Sequence, residues 1–207
     1  MTRILSANSD GLGVAAEILR RGGLVAFPTD TVYGVGCRAG DPAALDWLFV
    51  LKGRPPDRRV AWLLADRAAA DELGLEVDAR AERLAGRFWP GPLTLVLRRR
   101  TPQPGDATLG VRVPDHPVTH RLLSTTGPLA TSSANRTGEP EARTVSEVLA
   151  AFGDVPGGTG LDAVVDGGEA PGGVSSSVVD LSVTPARLLR EGALSRKQIE
   201  GVIGPLD

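Results

Sequence analysis

Short apolar runs alternate along this chain with stretches of helical periodicity, and that alternation limits the fold more than any other feature. Its clearest instance is Leu24 to Arg59. The run Leu24 to Phe27 reads as a buried strand that stops at Pro28 and opens into a turn, TDTVYGVG, bearing hydroxyls and glycines. Asp41 followed by Pro42 then starts a helix, with a side-chain cap and a proline at the first helical position. Leu45, Leu48 and Phe49 form its inner face, and it ends near Lys52–Gly53, delivering Lys52 and Arg54 on a loop punctuated by Gly and Pro. Hydroxyls at one end of this strand–loop–helix unit and cations at the other point to an anionic ligand.

The rest of the chain repeats the pattern. Leu12, Ala15, Ala16 and Leu19 give a helix over Asp10 to Arg21, stopped by Gly22–Gly23. Val60 to Ala65 is a strand, and Asp78 caps a helix whose stripe is Ala81, Leu84, Ala85 and Phe88. Leu93 to Leu97 is a strand, Arg98 to Gly105 an exposed loop, and Thr108 to Val113 another strand. Asp115 or Pro117 starts a helix to about Leu123, and Pro128 to Ser132 is a strand. Thr144 with Glu147, and Ser195 with Gln198, are capping boxes for helices to about Phe152 and at the C-terminus. Val155 to Gly160 reads as a loop between them, and Val164–Val165, Ser177 to Leu181 and Arg187 to Arg190 as further strands. The expectation is one α/β domain over residues 1–207, with a mixed sheet because several strand connections are short.

Composition narrows the function classes. Aromatics are only 4% of the 207 residues and the net charge is −2, which argues against a polycationic arm or an extensive RNA surface. One cysteine, Cys37, allows no internal disulfide and suits a reducing cytoplasm. No apolar run approaches the roughly 18 residues a membrane helix needs, and no signal peptide is visible. Only Lys52 and Lys197 among the 23 basic residues are lysines, so the lysine in K-G-R hints that a compact charge is wanted there.

Several strand ends carry chemistry. Thr29 and Thr31 offer donors to carboxylate or phosphate oxygens. Lys52, Arg54, Arg58 and Arg59 crowd a loop suited to polyphosphate, or to a helix dipole. Arg112 is a charge inside an apolar strand that needs an anion, either a ligand or a structural partner. Ser133 and Asn135 in TSSAN lack the G-x-S-x-G setting of a nucleophile, which favours binding over covalent chemistry. His116 and His120 are spaced i,i+4 without an evident third ligand, so no metal site is expected. A glycine-rich turn before Ser176 and a strand-end Arg190 complete the set.

PTDTVYGVGC, the K-x-R of LKGRPPD, FWPGPLTLVL, VRVPDHP, TSSAN-x-x-G and LLREGAL, in that order, resemble the YrdC/TsaC family of threonylcarbamoyl-AMP synthases over about residues 11–203, in its short single-domain form. The resemblance implies a twisted α/β sheet with flanking helices and a concave, positively charged pocket. It implies a nucleotidyltransferase that condenses L-threonine, bicarbonate and ATP into L-threonylcarbamoyladenylate and pyrophosphate, for t6A at adenosine 37 of tRNA. Carried over by position, Lys52 and Arg54 are the catalytic residues, and with Arg58, Thr108, Ser133, Asn135 and Arg190 they bind ATP, Mg2+ arriving with the nucleotide. Thr31, Arg112, Thr131 and Ser176 hold L-threonine. Implied partners are a downstream threonylcarbamoyl transferase complex and a weak tRNA contact, with no membrane. A non-catalytic tRNA-binding module and a carbamoyl-phosphate-using relative remain as alternatives. Departures from the family pattern are Arg59–Val60 and Leu63 where some members carry Pro-Leu and a histidine, Ser177 for a threonine, and Glu141 where a small hydroxyl residue contacts ATP.

Overall fold

The computed structural model describes residues 1–53, 55, 59–103, 106–153 and 160–207. Arg54, Arg58 and most of the Val155–Gly160 loop lie outside the described residues. The elements in order are β1 (Arg3–Ser6), α1 (Ser9–Arg20), β2 (Val25–Pro28), β3 (Tyr33–Arg38), α2 (Pro42–Lys52), β4 (Ala61–Leu63), α3 (Ala68–Glu72) and α4 (Ala79–Phe88). They continue with β5 (Leu93–Gln103), β6 (Asp106–Arg112), α5 (Pro117–Thr126), β7 (Leu129–Ser133), α6 (Val145–Phe152), β8 (Ala163–Asp166), β9 (Ser177–Asp180), β10 (Arg187–Arg190) and α7 (Arg196–Ile203). One sheet takes the strands in the order β1-β8-β2-β3-β7-β4-β6-β5-β9-β10. It is mixed as expected: β1–β8, β2–β8, β4–β6 and β5–β9 are parallel, and the other pairs antiparallel.

Helix ends follow the local signals. Asp41 caps α2 through Ala44 N–H, Asp78 caps α4, and both capping boxes are made. α2 stops at Gly53, whose φ of 57° is a left-handed conformation that a side chain disfavours. The cap of α1 is Asn8, so that helix starts one residue before the sequence expectation.

Two segments correct the sequence reading. The TDTVYGVG turn is short, and Tyr33–Arg38 is the strand β3, pairing with β2 and β7. Its glycines are there for close approach: a Cβ on Gly36 would stand 2.9 Å from Thr131 Oγ1, and one on Gly34 2.9 Å from Thr131 Cγ2. Likewise Arg98 to Gln103 is not a loop but continues β5 in a hairpin with β6. Its charges are accommodated because Arg99 pairs with Asp106 at 2.8 Å and lies over the Trp62 ring, while Arg98 donates to the Ser182 carbonyl. β4 is shorter than the expected Val60–Ala65, and β1 and α3 carried no signal that was read.

The layers place the site. One face of the sheet is covered along its length, by α2 and α6 over one half and by α4 and α7 over the other. The opposite face is covered by α1 and α5 at one end only, through Leu12, Leu19, Val25, Phe27, Leu63 and Leu122. Over β7, β4, β6, β5 and β9 that face is open, and its exposed rows line a cavity of about 420 Å³.

Candidate active site

Strand alternation decides which side chains reach the cavity. Along β6, Thr108, Gly110 and Arg112 face it, while Leu109 and Val111 enter the core. Along β4, Ala61 and Leu63 face it, and Leu63 stands in register with Arg112. Thr29 and Thr31 come from the turn after β2, Thr131 and Ser133 from β7, and Ser176 and Arg190 from the β9 and β10 ends. The structure therefore brings together Thr31, Thr108, Arg112, Thr131, Ser133, Ser176 and Arg190 around one space. Lys52 and Asn135 stand just behind Ser133 rather than on the cavity wall.

Arg112 is the most constrained group. Its side chain is 7% exposed and its ion pair with Asp30 is 2.5 Å long. Nη1 donates to Thr31 Oγ1 at 3.1 Å and Nε to the Gly91 carbonyl at 3.0 Å. Those bonds use three of the five N–H groups of a guanidinium, leaving two for a ligand carboxylate. Burial pushes the Arg112 pKa down, and the Asp30 charge and hydrogen bond pull it back. Asp30 Oδ1 also accepts Asp115 N–H at 3.0 Å, so the carboxylate joins the turn after β2 to the end of β6. Its Oδ2 and the Nδ1 of His116 are buried without a hydrogen-bond partner among the described residues. Burial lowers the His116 pKa, against the opposing pull of Asp30 and Asp115. His116 stands at the N-cap position of α5 without a side-chain capping bond, and among the described residues no group of three or more His, Cys, Asp and Glu side chains stands together.

The hydroxyls form a second network. Thr29 Oγ1 and Thr31 Oγ1 are 2.9 Å apart, and Thr131 Oγ1 donates to the Leu129 carbonyl at 3.1 Å. Ser176 Oγ shares a 2.9 Å bond with Thr94 Oγ1 and accepts from Arg190 Nη2 at 3.2 Å, while Arg190 Nε donates to the Ser176 carbonyl at 3.0 Å. Ser177, the departure beside it, is structural: Oγ donates to Leu194 O and accepts Gly192 N–H and Leu194 N–H, tying the segment after Arg190 to β9. The Glu141 carboxylate accepts Ser175 N–H at 3.1 Å and supports the charge on Arg190, whose pKa burial pushes down. It therefore braces the Ser176 turn from its place beside the pocket.

At the other end, the buried Lys52 ammonium donates to the carbonyls of Ser133 and Asn135, with Asn135 Oδ1 at 3.5 Å. Ser133 Oγ donates to Asn135 Oδ1 at 2.6 Å, and Asn135 Nδ2 donates to the Arg136 and Glu139 carbonyls. The C-terminus of α2 and the TSSAN loop are thus one hydrogen-bonded block. Arg59 donates to the Thr108 carbonyl and lies 3.4 Å from Thr108 Oγ1, closing the wall between β4 and β6. Sequence reasoning missed Asp30, Thr94 and Asp180. Thr94 carried a readable signal, the one hydroxyl in the run Leu93 to Leu97.

With this geometry in hand, likeness to known proteins is specific. Residues 17–192 match the Sua5/YciO/YrdC family model, which is described as Telomere recombination. The chain belongs to the Sua5/YciO/YrdC family. Within that family it is 40% identical to a threonylcarbamoyl-AMP synthase of Pyrococcus abyssi, over 93% of this chain and 57% of the relative. It is 37% identical to a threonylcarbamoyl-AMP synthase of Bacillus subtilis, over 100% of this chain and 60% of that protein. The crystal structure of P. abyssi Sua5 complexed with L-threonine superposes with a TM-score of 0.89 at 37% identity, covering 100% of this chain and 62% of that one. The chain thus spans about three-fifths of the length of these relatives.

Proposed function

We propose that this chain is an L-threonylcarbamoyladenylate synthase, an enzyme that joins L-threonine, bicarbonate and ATP with release of pyrophosphate. The observation that carries the reading is that one cavity holds an arginine with two N–H groups to spare, Arg112, beside Thr31, Thr131 and Ser176, and continues to Thr108, Ser133 and Arg190. The first group suits an amino-acid carboxylate and hydroxyl, the second a nucleotide. The names of the curated relatives and the threonine complex of P. abyssi Sua5 support both assignments.

In this reading Arg112 clamps the threonine carboxylate and sets the amine toward the middle of the cavity. CO2 from bicarbonate is captured by the neutral amine as a carbamate, with loss of a proton. A carbamate oxygen attacks the α-phosphorus, the bond from the α-phosphorus to its bridging oxygen breaks, and pyrophosphate leaves. Lys52, Arg54, Arg58 and Arg190 balance the charge that gathers on the departing phosphates. Lys52 acts from within the TSSAN block, so it both fixes Ser133 and Asn135 and lends its charge. The described residues form no protein cage for a metal, so Mg2+ is proposed as part of the nucleotide substrate. The single continuous sheet supports treating residues 1–207 as one domain. The product would pass to a threonylcarbamoyl transferase complex that modifies tRNA, with at most a weak tRNA contact here, in the cytoplasm. No helix of the described residues is long and apolar enough to cross a membrane.

Replacing Lys52→Ala and Arg54→Ala tests the assignment, with the adenylate quantified by mass spectrometry. The expected result is near-complete loss of product from protein whose circular dichroism is unchanged. Wild-type rates in both variants would remove these two residues from the mechanism.

A further inference from the structure

Two buried polar atoms beside the Arg112 clamp have no hydrogen-bond partner among the described residues, and their chemistry is complementary. They are Asp30 Oδ2 and His116 Nδ1. A carboxylate oxygen can only accept, whereas a neutral imidazole donates from one nitrogen, and its surroundings set which one. Burial lowers the His116 pKa below its ordinary 6.5, so at pH 8 the ring is neutral and has a single N–H to place.

Neighbouring bonds hold the two residues side by side. Asp30 Oδ1 accepts the N–H of Asp115, which puts the carboxylate against the residue that precedes His116. Thr119 Oγ1 donates to the Pro28 carbonyl, tying the first turn of α5 to the end of β2. His116 lies between those two ties, with the extended backbone that a residue before proline prefers. The charge that most pulls its pKa back up is that of Asp30, ahead of the adjacent Asp115.

A side chain at an N-cap position ordinarily accepts a helix N–H, and His116 makes no such bond. Nδ1 therefore has no helical role to fill, and a proton there meets the one need Asp30 still has. The other Asp30 oxygen is committed to Arg112 Nη2 and Asp115 N–H. A carboxylate held through one oxygen turns about that anchor. A second bond fixes its plane, and with it the guanidinium it pairs with.

We propose that His116 is a positioning residue for the Arg112 clamp. Its Nδ1–H donates to Asp30 Oδ2, directly or across one water. The carboxylate so held presents the two remaining N–H groups of Arg112 to an amino-acid carboxylate. The bond is a property of the fold, and its effect on threonine rests on the synthase reading.

The chain has two histidines, so a long-range 1H–15N spectrum at pH 8 resolves both rings, and His116→Ala assigns them. The expected result is the Nδ1–H tautomer for His116 in the wild type. In Asp30→Asn the Nε2–H tautomer is expected, because the amide keeps the Oδ1 acceptor and puts a donor where Oδ2 stood. Steady-state kinetics read the consequence. His116→Ala breaks no capping bond. It is expected to raise KM for L-threonine about tenfold, with kcat and KM for ATP within about twofold of wild type. His116→Asn, whose amide nitrogen stands where Nδ1 does, is expected to restore KM to within about twofold of wild type, and His116→Gln is not. An Nε2–H ring in the wild type, or an unchanged threonine KM in His116→Ala, overturns the proposal. So does a rise shared equally by threonine and ATP, which marks a general loosening of the fold. Wild-type protein that makes no adenylate removes the synthase reading and the threonine effect with it, while the tautomer still decides the bond between His116 and Asp30.

Discussion

Asp30→Ala is the perturbation on which the site geometry makes its sharpest demand. The change leaves the Arg112 guanidinium with only Gly91 O and Thr31 Oγ1, at a position where the side chains of the pair are 7% and 12% exposed. It also takes away the acceptor of Asp115 N–H. Removing one partner of a buried pair costs about 3–5 kcal/mol, because the remaining charge stays desolvated. That is a large share of the roughly 5–15 kcal/mol that holds a domain together. Urea unfolding followed by the fluorescence of Trp47, Trp62 and Trp89 reads it directly. With an m-value of about 2.5 kcal/mol per M, the midpoint falls by about 1–2 M. Adding Arg112→Met to Asp30→Ala removes the stranded charge, and the double variant is expected to recover much of the loss. A loss below about 1 kcal/mol in Asp30→Ala, with no coupling in the double variant, would refute the claim that Asp30 holds Arg112 in place.

Two other expectations follow from close packing. Gly36→Ala brings a methyl to 2.9 Å from Thr131 Oγ1 and 3.2 Å from the Ala130 carbonyl, and should cost about 1–3 kcal/mol in the same unfolding experiment. Burial pushes the Cys37 thiol up to about 12, so native protein should resist a disulfide reagent at pH 8 and react once unfolded. The sign of the linkage is set by the same shift. An unfolded thiol ionises near its ordinary value while the folded one does not, so stability falls as pH rises from about 9 toward 12. Tyr33, raised first by burial, pulls in the same direction.

The local elements were legible wherever a side chain acts on its own backbone. Asp41 before Pro42, Thr144 with Glu147 and Ser195 with Gln198 each cap the helix they announce. Gly34 and Gly36 misled, because glycine near a turn reads as loop. Their cause is a neighbour distant in sequence, Thr131, which needs the space a Cβ would fill. Arg98 to Arg100 misled for a related reason, since what lets charge sit in that strand is Asp106 and Trp62 across the hairpin. Strand order could not be read at all, because pairings such as β2 with β8 join segments far apart in the chain.

In the site, the legible residues were those that break a local rule: Arg112 in an apolar strand, and hydroxyls clustered at strand ends. Thr31, Arg112, Thr131, Ser133, Ser176 and Arg190 do meet around one cavity. The family resemblance placed Lys52 and Asn135 in the same site, and the structure sets them behind its wall. Asp30 and Asp180 break no rule where they stand, and only the ion pair with Arg112 and the register of β9 on β5 show what they face. Arg112 left two readings open, a ligand clamp and a structural ion pair. The structure shows the ion pair and spare N–H groups beside it.

The central claim is that one cavity holds threonine and ATP close enough to react. Pyrophosphate release by the wild-type protein tests it most directly, with ATP present throughout and L-threonine and bicarbonate omitted in turn. The account predicts release only when both are supplied, matched mole for mole by the adenylate. Release that ignores threonine, or folded protein that releases none with all three present, would contradict it.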